Sequence, residues 1–192
     1  MKLLSHFSGI SNSYILGPKE GGEAILVDPG RFDVFLLNLI ESNSFNITTV
    51  LITHINRRHI RGLKTLKKVY DARLISGNEE VGGFESEFAE PGSKIEASGI
   101  SIKTLDLEER MTDSRVFRIG NLLFTGNTLS AGRMEDFFSP KKRARLIAGI
   151  QKKILTIAEE LLILPSYGPP STISAELRWN PDFHPRRPYL RR

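Results

Sequence analysis

Short apolar runs separated by turn residues open this chain. Tyr14-Ile15-Leu16 and Ala24-Ile25-Leu26-Val27 read as strands, set apart by Gly17-Pro18 and Gly21-Gly22. Asp28-Pro29-Gly30 ends the second run. The spacing then changes. Phe32, Phe35, Leu36, Leu39 and Ile40 recur at helical intervals and predict a helix from Phe32 to Ser42. The β-branched stretch Thr48 to Thr53 predicts a strand. Leu63, Leu66, Val69 and Tyr70 share one face with lysines opposite, which predicts a helix from Arg61 to Tyr70. Strand-like pieces follow at Arg73 to Ser76, Ile100 to Leu105, Arg115 to Ile119 and Leu122 to Thr125. Lys141 to Glu160 carries the best helical stripe: Leu146, Ile147, Ile150, Ile154, Ile157, Ala158 and Leu161. Leu161 to Leu164 reads equally as its last turn or as a short buried strand. Six of the ten prolines lie from Pro165 onward, and an extended tail is expected from Asn180.

Two strand-rich halves, each followed by helices, suggest two packed sheets with helices outside. Periodicity alone leaves the class open between α/β and α+β. At 192 residues the chain is expected to form one domain with a substantial core. It has no cysteine, which excludes disulfides, thiolate zinc sites and thiol catalysis. That fits a reducing compartment, so a cytoplasmic location is expected. No apolar run is long enough to span a bilayer, and Met1 to Leu4 meets His6 and Ser8 too soon for a signal-peptide apolar region. The net charge is +5, with its excess in Lys141 to Arg145, Lys152-Lys153, Arg186-Arg187 and Arg191-Arg192. Such clusters fit nucleic acid, and they fit a solvated helix face with a basic tail still better.

The chemistry concentrates in Thr53-His54-Ile55-Asn56-Arg57-Arg58-His59, directly after a predicted strand. Two histidines frame positions where a two-metal site would want a further imidazole and a carboxylate. Asn56 and Arg58 stand there instead. A guanidinium stays cationic and has no lone pair for a metal.

Four segments, in order, resemble the metallo-β-lactamase fold hydrolases, and among them the small glyoxalase II-like members. Asn12-Ser13-Tyr14 followed by Ala24 to Gly30 is similar to the opening strands with their strand-ending aspartate, Asp28. Leu51 to Gly62 lies where that family has T-H-x-H-x-D-H-x-x-G. Leu122 to Leu129 is similar to L-F-T-G-D-T-L, with Gly132-Arg133 and Asp136 in step. Pro165 to Glu176 and then Asn180-Pro181 are similar to P-G-H-G-P-x-T-T-I-x-x-E…N-P. The resemblance implies a four-layer αβ/βα sandwich over residues 1–181, followed by a basic Pro/Arg-rich tail at 182–192.

The departures fall on the ligands that the resemblance implies for two metals. His54 and His59 remain. The middle histidine has become Asn56, the aspartate Arg58, the bridging aspartate Asn127 and the late histidine Tyr167. A further histidine aligns with Arg110 when counted back from Ser114. His54 and His59 are thus remnant ligand positions, and Asp28, Asn56, Arg58, Arg110, Asn127 and Tyr167 line a remnant pocket. Arg58 and Arg110 are expected to pair with Glu108, Glu109 or Asp113, or to hold a phosphate or carboxylate. The expectation is a non-catalytic binding protein with no catalytic residues, no cofactor, and a small anion or a protein as partner. The alternatives are a glyoxalase II-like thioesterase using zinc or another divalent metal at an altered site, and a basic nucleic-acid-associated module.

Overall fold

The computed structural model describes residues 1–9, 11–107, 113–134 and 139–184. The first half begins with β1 (Lys2–Phe7), β2 (Asn12–Gly17) and β3 (Gly22–Val27), an antiparallel meander turned by Gly21 and Gly22 at positive φ. Helix α1 (Val34–Glu41) starts where Asp33 accepts the Leu36 N–H at 3.0 Å, an N-cap. It leads to β4 (Phe45–Leu51), which runs parallel to β3. Two short helices, α2 (Arg57–Ile60) and α3 (Leu63–Val69), precede β5 (Arg73–Ser76), again parallel to β4. A hairpin of β6 (Glu80–Val81) and β7 (Phe84–Glu85) leads to β8 (Glu87–Phe88). The first sheet has the order β1-β2-β3-β4-β5-β8.

The second half repeats the plan. β9 (Lys94–Ala97), β10 (Ile100–Leu105), β11 (Val116–Ile119) and β12 (Leu122–Gly126) form an antiparallel meander. A small hairpin, β13 (Leu129–Ser130) with β14 (Arg133–Met134), precedes α4 (Pro140–Lys153). β15 (Leu162–Pro165) then joins β12 in parallel, followed by β16 (Ser171–Thr172) and α5 (Ile173–Trp179). The second sheet has the order β16-β15-β12-β11-β10-β9.

Strand alternation explains the layers. Tyr14, Leu16, Ile25, Val27 and Leu51 point from the first sheet onto Ile102, Phe117, Ile119, Phe124 and Leu164 of the second, forming the central core. Their neighbours Ile15, Leu26 and Val50 point the other way, against Leu36 and Ile40 of α1 and Leu63 and Leu66 of α3. Leu123 and Ile163 likewise face Leu146 and Ile150 of α4 and Ile173 of α5. The result is the four-layer αβ/βα sandwich expected. No helix among the described residues is long and apolar enough to cross a membrane.

Some elements differ from the periodicity. The long stripe continues past Lys153, but α4 stops there, with Ile154 as its C-cap. Ile154, Leu155 and Leu161 stay buried in the same cluster by way of turns, because a chain in any conformation can fill that face. Leu161 to Leu164 resolves as strand β15, through pairing with β12. The segment from Arg61 to Tyr70 starts its regular helix only at Leu63. The Gly62 N–H bonds Pro29 O at 2.8 Å, and a Cβ there would lie 2.4 Å from Phe32 N, so only glycine fits. Asn180 is no start of an extended tail: it is fully buried and its Nδ2 donates to Glu176 at 2.6 Å. Asp182 also docks, accepting from Met134 N at 3.1 Å and from Arg143 at 2.5 Å.

Candidate functional site

Strand ends from both sheets meet at one rim of the sandwich. Just past the C-terminal ends of the parallel pairs β3–β4 and β12–β15 lie Asp28, Thr53-His54, Asn127 and Ser166-Tyr167. Parallel neighbours end on the same side, so residues far apart in the chain arrive together.

Asp28 anchors the array. It sits at φ 50, a left-handed conformation that aspartate tolerates better than most residues, and only 1% of it is exposed. Its Oδ1 accepts the Thr53 N–H at 2.8 Å. Its Oδ2 accepts the Thr53 hydroxyl at 2.5 Å and the Ser166 hydroxyl at 2.7 Å, and faces His59 Nδ1 at 2.9 Å. Burial alone would push this carboxyl up. The facing His59 and the hydrogen bonds from His59, Thr53 and Ser166 outweigh it and hold it below the usual aspartate range. Asp28 therefore orients the signature loop from behind, as an ionised acceptor. The approach is tight: Gly126 sits at φ 57, and a Cβ there would lie 2.5 Å from Thr53 Oγ1.

His59 is fully buried between two oxygens, Asp28 Oδ2 on Nδ1 and Asn127 Oδ1 on Nε2, the latter at 2.8 Å. Both N–H bonds of an imidazolium would satisfy this arrangement. A neutral ring donating to Asp28 requires the Asn127 amide to turn over and present its NH2. His54 lies edge to face with His59, ring centroids 5.7 Å apart. Its Nδ1 is 2.9 Å from Ser114 Oγ and 3.2 Å from Asp113 Oδ2.

Asn56 and Arg58 serve local structure. Asn56 is the N-cap of α2, its Oδ1 accepting the Arg58 N–H at 2.8 Å. The Arg58 carbonyl accepts the Ser11 hydroxyl at 2.9 Å. Its exposed guanidinium lies 6.0 Å from the centroid of the Tyr167 ring. That ring stands edge-on to His59, at 5.7 Å, where the resemblance puts an imidazole. Arg58, Asn127, Ser130, Arg133, Tyr167 and Gly168 line a cleft of about 420 Å³.

The structure thus brings together Asp28, His54, Asn56, Arg58, His59, Asn127 and Tyr167. Arg110, Glu108 and Glu109 lie outside the described residues. Asp113 serves His54 and the Ile55 N–H rather than Arg58, a correction to that one of the expected ion pairs, while those involving Arg110, Glu108 or Glu109 lie outside the described residues. A backbone contact between the two sheets explains the Asp113 pairing: Arg115 N bonds Thr53 O at 2.7 Å, which draws 113–115 alongside the loop. Ser166 and Ser114 were not expected in the site, because loop hydroxyls carry no spacing signal; Thr53 and Arg133 fell within the family-like segments without a role of their own. Among the described residues, no group of three or more His, Cys, Asp or Glu side chains is arranged to hold a metal ion.

The basic run falls on α4, whose apolar side packs on the second sheet. Arg143 pairs with Asp182 and Lys153 with Asp106, at 2.9 Å for the latter, as suits a solvated face. The tail arginines from Arg186 onward lie outside the described residues.

Known proteins place this architecture. An uncharacterized protein of Treponema pallidum is 27% identical over 160 residues, covering 83% of this chain and 85% of that protein. A hydroxyacylglutathione hydrolase of Haemophilus ducreyi is 23% identical over 168 residues, covering 87% and 70%. The crystal structure of ETHE1 from Myxococcus xanthus superposes with a TM-score of 0.79 at 20% identity, covering 95% of this chain and 88% of that one. The family model for the Metallo-beta-lactamase superfamily matches residues 7–132, from the first sheet through the Gly126-Asn127 turn, and the chain belongs to that superfamily.

Proposed function

We propose that this chain is a non-catalytic member of the superfamily, a binding protein that keeps the fold and its cleft without two-metal chemistry. One observation carries the reading: the side chains at the ligand positions of the signature loop are committed elsewhere. Asn56 caps α2 through its Oδ1, and Arg58 presents a guanidinium on the cleft wall. Two donors survive, His54 and His59, where a catalytic zinc takes about three protein ligands. The His59 Nε2 already meets Asn127, a neutral amide at the position where the family has an aspartate. A permanently charged guanidinium on the cleft wall further opposes a dication. The donor set does not fit a dinuclear centre.

A glyoxalase II-like, metal-dependent thioesterase with an altered site is the second reading. The likeness to a hydroxyacylglutathione hydrolase and the retention of both histidines favour it. Elemental analysis of protein purified without chelator, combined with a thioester hydrolysis assay, separates the two. The non-catalytic reading expects substoichiometric zinc, iron and manganese and no turnover above buffer. Near-stoichiometric metal, with turnover lost on chelation, would establish the second reading in its place.

A further inference from the structure

We infer that the face formed by the start of α4 and the end of α5 binds single-stranded nucleic acid. It lies apart from the cleft, whose described lining includes none of Lys141, Lys142, Arg178 and Trp179, and it does not depend on what the cleft does. Charge is the first observation. Residues 1–132 carry 15 Lys and Arg against 16 Asp and Glu, whereas residues 133–192 carry 12 against 6. The whole positive excess of the chain therefore falls in its last third. A polyanion is the partner that such an asymmetry fits.

Where the cations stand is the second observation. Pro140, Lys141, Lys142 and Arg143 make the first turn of α4, which Ser139 caps. The N-terminus of a helix is already positive, so cations there oppose its dipole. Helix stability alone favours carboxylates in that turn. Asp182 answers Arg143, while Lys141 and Lys142 are exposed. Surface residues that break a local rule are a mark of function, and phosphate is the anion that lysines and a helix N-terminus hold together. The third observation is an aromatic ring. Trp179, the only tryptophan in the chain, ends α5 and is 71% exposed. The Arg178 guanidinium lies over that ring, 5.0 Å from its centroid. Asp182, just beyond α5, holds both Arg143 and the Met134 N–H, which docks the end of α5 beside the start of α4. Arg186, Arg187, Arg191 and Arg192 follow Asp182 closely in the sequence. Unpaired bases stack on an exposed ring while neighbouring cations track the phosphates, and a duplex hides its base faces from such a ring. A bilayer fits this face less well. An interfacial helix needs an apolar side to bury, and that of α4 is already packed on the second sheet.

Titration of the full chain with a single-stranded oligo(dT) of about 20 nucleotides tests this, read by tryptophan fluorescence and by the anisotropy of a labelled strand. Trp179 emission is expected to be quenched. Affinity is expected to fall with salt, with a log–log slope of about −0.7 per phosphate neutralised. Trp179→Ala should weaken binding by about tenfold, the scale of one stacked base. Lys141→Gln combined with Lys142→Gln should make the slope shallower by about 1.4. Lys64→Gln, exposed on α3 in the first half, is expected to leave binding unchanged. All four side chains are exposed, so unchanged thermal midpoints would show that the variants fold. Oligo(U) of the same length separates ribose from deoxyribose partners, and binding of either strand supports the inference. Failure of both strands to bind at about 50 mM salt overturns it. So does a duplex binding as tightly as the single strand, Trp179→Ala binding as wild type does, or Lys64→Gln costing as much as the lysine pair. Phosphatidylserine vesicles that quench Trp179 when neither strand does would assign the face to a membrane surface instead.

Discussion

Replacing Asp28 should separate charge from shape at the centre of the array. In Asp28→Ala, the Thr53 N–H, the His59 Nδ1 and the hydroxyls of Thr53 and Ser166 all lose their acceptor inside a site that water does not reach. Removing one partner of a buried ionic contact costs about 3–5 kcal/mol. Alanine at φ 50 adds about 1–2 kcal/mol, because Cβ crowds the backbone in the left-handed region. The sum, about 5 kcal/mol, is comparable to the whole stability of many domains. Asp28→Asn behaves differently. Asparagine adopts positive φ readily, its carbonyl can still take the Thr53 N–H, and its NH2 can donate to a neutral His59 whose Nε2–H then faces Asn127. About 2 kcal/mol should be lost, the scale of one or two charge-assisted hydrogen bonds. Guanidinium denaturation at neutral pH measures both.

The same residue sets an acid limb. Its folded-state pKa is depressed below the ordinary aspartate value of about 3.9. Its contribution is therefore fully present above that value and is lost as pH falls through the folded one. Wild type should lose stability steeply below about pH 4, and Asp28→Asn should lack that component. If both variants stay within about 1 kcal/mol of wild type, with the same acid profile, the carboxylate does not hold the rim together.

Gly126→Ala should destabilise by about 2 kcal/mol or more, since its Cβ would meet Thr53 Oγ1 at 2.5 Å and φ is 57; a denaturation midpoint near wild type would contradict this. Tyr14 donates to Pro165 O at 2.7 Å. Burial raises its pKa, helped by the negative charge of Asp28 and partly offset by a hydrogen bond with Asn12. Its stabilisation is present below about pH 10 and is lost as pH rises beyond that; burial and the Glu41 carboxylate raise Tyr70 as well, so two of the four tyrosines should resist ionisation in a phenolate absorbance titration. Tyr14→Phe should remove one of these two late steps, leaving that of Tyr70, and cost about 1 kcal/mol, since Pro165 O keeps Asn12 as a donor. Asp182→Ala releases Arg143 and the Met134 N–H and should cost about 1 kcal/mol, read from the denaturation midpoint.

Local pattern was enough for many elements. Arg73 to Ser76 and Ile100 to Leu105 have the bounds their apolar alternation predicts. Other features lay beyond it. β1 went unread, because an edge strand with one half-open face carries Ser5 and His6 among its apolar residues. α5 went unread as well, although Thr172 accepts the Ala175 N–H at 3.2 Å as an N-cap, a signal visible in hindsight from a Thr before an apolar residue. The stripe beyond Lys153 misled because periodicity records which face is apolar, not where the hydrogen-bonded ladder ends.

By itself the sequence determined the identities that matter most: which donors survive at His54 and His59, that Asn56, Arg58, Asn127 and Tyr167 replace others, and that no thiol exists. Chemical identity is a property of each residue and needs no neighbours to be read. Tertiary structure decided the commitments: that Asp113 answers His54 and not Arg58, that Ser166 and Thr53 join Asp28, and that Arg133 shares a cleft with Arg58. Those pairings join segments up to 138 positions apart, and only the register of parallel strands from two sheets brings their ends to one rim.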